Sequence, residues 1–142
     1  MNTPDLHLMI ATGQNLANLI PALQCRAAEA WVLRTPAMRA SAAHLSDALK
    51  ARCIKVCLLD FADDNVTRLD EQAHQLARHV GERTVVVNLT GGTKLMTLAL
   101  VQKLAADLQT APGAAAPHLV YCDTQHRRLD ALRPDAYPER ER

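Results

Sequence analysis

Short, almost wholly apolar runs alternate along this chain with longer segments whose apolar residues recur every three or four positions, and few folds accept that rhythm. The runs Leu6 to Thr12, Glu29 to Thr35, Ile54 to Phe61, Arg83 to Leu89 and His118 to Asp123 read as strands. Between them, Asn15 to Cys25, Ala37 to Arg52, a segment capped by Asp63 or Asp64 and stopped at Gly81, and Thr93 to Leu108 read as helices. Pro21 is expected to kink or shorten the first of these, because proline has no N–H and its ring crowds the preceding turn. Strands that are continuously apolar, as Val56-Cys57-Leu58-Leu59 and Thr84-Val85-Val86-Val87 are, must be covered on both faces. The expectation is therefore an α/β fold of the Rossmann-like, doubly wound kind: a parallel sheet with helices on both faces. Arg127 to Leu132 adds a possible last strand, making a C-terminal β-hairpin through Thr124-Gln125-His126. Residues 1–132 would form one domain, with 133–142, rich in charge and proline, as a flexible tail.

Composition narrows the function. At 142 residues with 49% apolar content, the chain can bury a normal core. Sixteen Lys and Arg against fifteen Asp and Glu leave a formal charge of +1, too little for a broad duplex-DNA footprint. One Trp, two Tyr and one Phe are too few to stack single-stranded bases on aromatic platforms. Any anionic ligand must then be held locally. No signal peptide precedes the first strand, and no uncharged run approaches the roughly 18 residues of a membrane span, so a cytoplasmic location is expected. Cys25, Cys53, Cys57 and Cys122 are too scattered for a zinc site and are expected to be reduced and mostly buried. No metal and no cofactor is expected.

A doubly wound sheet places function at the carboxyl ends of its strands. Thr12-Gly13-Gln14-Asn15, Thr35-Pro36, Thr90-Gly91-Gly92-Thr93-Lys94 and Asp123-Thr124 fall there, polar against apolar strands. The most informative stretch is Asn88-Leu89-Thr90-Gly91-Gly92-Thr93-Lys94. Paired glycines let backbone approach a ligand closely, Thr90 or Thr93 can cap the helix, and the helix N-terminus attracts an anion. Lys94 in the first turn opposes the helix dipole by about 0.3–1 kcal/mol, which an intervening phosphate would reverse; the plainer account is a surface lysine beside a glycine turn. G-x-x-x-x-G-K-[ST] and G-x-G-x-x-G are both absent, which removes support for a magnesium-dependent triphosphatase or a dinucleotide enzyme. Gly13-Gln14-Asn15 offers amides to bases, ribose or phosphate, or else forms an ordinary turn with an asparagine cap.

Val85-Val86-Val87-Asn88-Leu89-Thr90-Gly91-Gly92-Thr93-Lys94-Leu95-Met96, with Ala11-Thr12-Gly13-Gln14-Asn15-Leu16-Ala17-Asn18, resembles a CARF domain (CRISPR-associated Rossmann fold). It is most similar to the CARF domains that precede a restriction-endonuclease-like domain in type III CRISPR ancillary nucleases, over residues 5 to 132. The resemblance implies a symmetric homodimer that binds cyclic oligoadenylate, commonly the tetra-adenylate ring, across its two-fold axis. It assigns ligand contacts to Gly13, Gln14 and Asn15 and to Asn88, Leu89, Thr90, Gly91, Gly92, Thr93 and Lys94. Thr12 and Thr35 join this set from their places at strand ends. The chain ends at Arg142 without an Asp…Glu-x-Lys nuclease cluster, so it is expected to be a sensor domain of a longer effector or a free-standing CARF protein. Leu95, Met96, Leu98, Leu100, Val101, Leu104 and Leu108 give the last helix more apolar surface than one sheet face needs, which suits a dimer unless both sides are covered within one chain.

The alternative is an enzyme. A ribose 2′-hydroxyl of the ring can attack its neighbouring phosphate without metal, and a metal-independent ring nuclease would need only Thr93, Lys94 and loop amides to align the attack and stabilise charge. Of the six histidines only His126 falls near a strand's carboxyl end, as a general-acid candidate or simply a surface histidine. Asp60, Asp63 and Asp64 suggest a magnesium site less well than a solvated helix N-terminus. Arg127-Arg128 reads as a phosphate clasp less well than as a solvated hairpin edge. A transcription-regulating module lacks a helix-turn-helix to support it.

Overall fold

The computed structural model describes residues 6–61, 65–80, 83, 85–110, 118–123 and 128–132. The elements are β1 (Leu6–Ile10), α1 (Leu16–Gln24), β2 (Glu29–Arg34), a 3-10 turn (Pro36–Met38), α2 (Arg39–Lys50), β3 (Lys55–Asp60), α3 (Val66–Val80), β4 (Val85–Asn88), α4 (Lys94–Thr110), β5 (His118–Asp123) and β6 (Arg128–Leu132). They form one six-stranded sheet in the order β3-β2-β1-β4-β5-β6. All neighbours pair in parallel except β5 and β6, which close an antiparallel hairpin with Tyr121 opposite Asp130. The Rossmann-like α/β reading is thus the observed fold.

Continuous apolar strands follow from two covered faces. On one, Leu6, Leu8 and Ile10 of β1 with Val85 and Val87 of β4 pack beneath Leu69, Ala73 and Leu76 of α3 and Met96 and Leu100 of α4. On the other, Met9 of β1 and Ala30 and Val32 of β2 meet Ala22 of α1 and Ala42, Leu45 and Leu49 of α2. All five residues of β1 are buried in consequence. Each fully buried leucine contributes about 1.5–3 kcal/mol, so the central strands β1 and β4 are the fixed frame on which the loops sit.

Several expectations need correcting. β3 is an edge strand, and its run Val56-Cys57-Leu58-Leu59 is only partly covered; Lys55, Cys57 and Asp60 are exposed. The four cysteines form no disulfide, and they are not mostly buried: Cys122 is buried, Cys25 intermediate, and Cys53 and Cys57 exposed. Asn65 caps α3, its Oδ1 accepting from Arg68 N at 3.1 Å, while Asp63, Asp64 and Gly81 lie outside the described residues. Pro21 sits inside α1, which runs on to Gln24. Two helices end without glycine. After α1, Arg26 adopts φ 54° and the pair Ala27 N to Ala22 O and Arg26 N to Leu23 O closes the end; after α2, Cys53 at φ 63° does the same through Ile54 N to Leu49 O and Cys53 N to Lys50 O. The tail after Leu132 lies outside the described residues.

Candidate functional site

In this strand order the chain leaves β1 toward β2 and β3, then returns to place β4 on the other flank of β1. The loops after β1 and β4 therefore diverge over a crevice, the place where open α/β sheets bind ligands. A cavity of about 260 Å³ opens there. Ile10, Ala11 and Thr12 line it from the end of β1, Thr35, Ala37 and Met38 from the segment after β2, and Gly92, Thr93 and Met96 from the start of α4. Its walls are mostly apolar, with three threonines supplying polar groups, which is the usual make-up of a small-molecule pocket.

The glycine turn is shaped by β1. A Cβ on Gly91 would stand inside the contact distance of the Ile10 carbonyl oxygen and 2.8 Å from Thr12 Cγ2. Gly92 has φ +81°, a left-handed conformation that glycine adopts without strain. Thr93, rather than Thr90, caps α4: its Oγ1 accepts from Met96 N at 3.2 Å. Lys94 is the first residue of α4, where unpaired backbone N–H groups face outward; its side chain lies outside the described part. Thr90 is turned inward. Its hydroxyl donates to Asn88 Oδ1 at 2.6 Å and accepts from Cys122 N at 2.8 Å. Asn88 is buried, and Leu89 is half-buried, its N donating to the Val120 carbonyl at 2.8 Å.

The first loop is braced differently. Thr12 Oγ1 accepts from Gln14 N at 3.1 Å, leaving Gly13 and Gln14 exposed at the crevice rim. Nothing lies within 4 Å of where a Gly13 Cβ would stand. Asn15 precedes α1, but its side chain makes no cap bond; it donates to the Ser41 carbonyl at 3.0 Å and accepts from Ser41 Oγ at 3.1 Å. Ser41 Oγ shares its one proton between Asn15 Oδ1 and the Thr12 carbonyl, so α2 holds the loop. Thr35 is buried against the cavity. The structure thus gathers Thr12, Gly13, Gln14, Asn15, Thr35 and the Thr90-to-Lys94 turn at one edge of the sheet, and sets Asn88 beneath it.

Sequence reasoning missed Ile10, Ala37, Met38, Met96 and Ser41. Met38 and Met96 belong to the inner faces of their helical segments, and only their place in the first turn after a strand end marks them as crevice residues. Nothing in the sequence marks Ser41. Asp60 is occupied by an ion pair with Arg34 at 2.8 Å, whose guanidinium holds its carboxyl below the usual range, with Arg39 at 4.0 Å. Among the described residues no three His, Cys, Asp or Glu side chains gather as a metal site. Arg128 pairs with Asp130 at 3.2 Å; His126, Arg127 and Thr124 lie outside the described residues.

Residues 7–110 match the Card1 CARF domain family. The chain belongs to that family. This CARF domain shares its fold with Can2 from Sulfobacillus thermosulfidooxidans, solved in complex with cyclic tetra-adenylate (TM-score 0.75, 18% identity, 92% of this chain and 35% of that one). It is also similar to protein VC1899 from Vibrio cholerae (TM-score 0.78, 15% identity, 92% and 33%). A third likeness is to a type III CRISPR defence DNA nuclease activated by cyclic oligoadenylate (TM-score 0.68, 21% identity, 89% and 19%). The chain spans about a third of the length of the first two and about a fifth of the third. No curated protein matches its sequence. Among the described residues no helix is long and apolar enough to cross a membrane.

Proposed function

We propose that this CARF domain is the sensor of a type III CRISPR antiviral response and binds a cyclic oligoadenylate, the tetra-adenylate ring, across a homodimer axis. The observation that carries the reading is the Gly91-Gly92-Thr93 turn, which brings the N-terminus of α4, with Lys94 as its first residue, to the mouth of an apolar cavity. A ring of adenosines joined by phosphodiesters needs both elements. Helix N–H groups and a lysine suit phosphate, and an apolar pocket edged by threonine hydroxyls suits an adenine. The relatives support the choice of ligand: Can2 was solved with cyclic tetra-adenylate and the nuclease is activated by cyclic oligoadenylate.

Exposed leucines support the dimer. Leu95 and Leu98 of α4 are 42% and 60% accessible, and Leu16 at the start of α1 is 61% accessible, while Met96 and Leu100 already fill the inner face. Each protomer would hold half the ring, so ligand favours the arrangement of subunits that closes on it and biases an effector nuclease domain accordingly. Duplex DNA is no ligand of this domain.

Calorimetric titration of cyclic tetra-adenylate, followed by mass spectrometry of the recovered ligand, tests this. One ring bound per two chains and recovered intact supports a sensor; the same stoichiometry with linear di-adenylate recovered makes it a ring nuclease acting through Thr93 and Lys94. No heat with tri-, tetra- or hexa-adenylate rings overturns the reading. Lys94→Ala removes a charge-assisted contact worth about 1.5–3 kcal/mol, so affinity should fall about ten- to a hundredfold with the fold intact.

A further inference from the structure

Asn88 sits at the end of β4 immediately before the glycine turn, yet its side chain has nothing left to offer a ligand. It is 2% exposed. Its Oδ1 accepts from Thr90 N at 3.0 Å and from the Thr90 hydroxyl at 2.6 Å; its Nδ2 donates to the Ala17 carbonyl at 3.0 Å and to Asn18 Oδ1 at 3.2 Å. A primary amide has two N–H donors and two acceptor lone pairs, and all four are used.

The acceptor on α1 is no ordinary helix carbonyl. Ala17 stands four residues before Pro21, the one residue of that helix without an N–H to give it. The gap left by the proline is filled from β4. Asn18 extends the chain, donating from Nδ2 to the Ile10 carbonyl at 2.8 Å, the same oxygen against which Gly91 packs. Thr90 extends it the other way, to Cys122 N on β5. One buried polar chain therefore joins α1, the end of β1, the glycine turn and β5.

We infer that Asn88 is a positioning residue: with Asn18 and the carbonyl freed by Pro21, it sets the place and angle of the Thr90-to-Lys94 turn without touching the ligand. The functional consequence rests on the proposed phosphate role of that turn; the positioning itself does not.

Amide exchange in the free protein, read by NMR, separates the two. Asn88→Ala removes the acceptor of Thr90 N and should speed Thr90 exchange at least tenfold, while amides of β2 and α2 such as Val32 and Leu45 keep their rates. Thr90→Val does the same for Cys122, and Thr90→Ser restores it. Should Asn88→Ala fail to fold, Asn18→Ala leaves Asn88 bonded to Ala17 and should loosen Thr90 by a smaller factor. Where the wild type binds cyclic tetra-adenylate, Asn88→Ala should weaken binding about tenfold. Unchanged Thr90 and Cys122 exchange in Asn88→Ala and Thr90→Val overturns the inference, whether or not the ring binds. Faster Thr90 exchange in Asn88→Ala, with a wild type that binds no ring, sinks the ligand assignment alone.

Discussion

Replacing Gly91 with alanine should be the most damaging single-methyl change at the crevice, and the reason is local. The added Cβ would meet the Ile10 carbonyl oxygen well inside 3.0 Å, an approach real Cβ atoms essentially never show. That carbonyl cannot swing aside, because Ile10 is 2% exposed and its oxygen is held by Asn18 Nδ2 at 2.8 Å. Thr12 Cγ2, at 2.8 Å, could rotate away, but the backbone contact could not be relieved that way. Relief requires the glycine turn and β1 to separate by about 1 Å, and overpacking of this kind costs about 1–3 kcal/mol. With no rotamer to escape into, about 3 kcal/mol is expected, lowering the melting temperature of a domain this size by about 10 °C. Gly13→Ala is the control. Its Cβ meets nothing within 4 Å, and φ there is not in the left-handed region, so stability should hold or rise by about 0.4–1 kcal/mol. Urea unfolding followed by circular dichroism measures both. A Gly91→Ala midpoint equal to wild type would refute the packing argument. Titration of Gly13→Ala with cyclic tetra-adenylate then asks why that glycine is there: a lost affinity at unchanged stability places the ligand over the first loop, and wild-type affinity removes it from that loop.

His7 is 1% exposed on β1, its Nε2 has no partner among the described residues, and burial pushes its pKa down from 6.5 to about 4. The unfolded chain takes up that proton first, so stability should fall as pH drops from about 6.5 to 4, by about 3 kcal/mol in all. Urea midpoints across that window measure the loss, and His7→Leu should flatten it; an equal loss in the variant would assign the acid sensitivity elsewhere. Arg26→Gly and Cys53→Gly each relieve a left-handed residue closing a helix, at a strain of about 1–2 kcal/mol offset by glycine's unfolded-state entropy, so each should raise stability by about 0.5–1 kcal/mol in the same assay. Leu98→Glu changes an exposed side chain and should move monomer stability by no more than about 0.5 kcal/mol, yet turn the proposed homodimer into monomer in sedimentation; a variant still dimeric would place the interface off this face of α4.

What was legible in the sequence was whatever depends on neighbours along the chain. Apolar runs long enough to need two covers imply the sheet, and strand ends next to glycine and threonine mark the crevice. Edge and centre were not legible: Val56 to Leu59 is as apolar as Val85 to Val87, and only the strand order leaves one at the rim and the other in the middle. The cavity walls escaped for a similar reason, since Met38 and Met96 have the helical spacing of core residues and become wall residues only because β2 and β4 end on either side of β1. Asn88 and Pro21 show the limit most clearly. Read locally, one is a polar residue before a glycine turn, hence a ligand contact, and the other a helix breaker. In the fold, the carbonyl that Pro21 leaves without a helical donor is bonded by an asparagine 71 positions from Ala17. A defect in α1 and an apparent contact residue on β4 satisfy one another, so neither could have been assigned its role from its own surroundings.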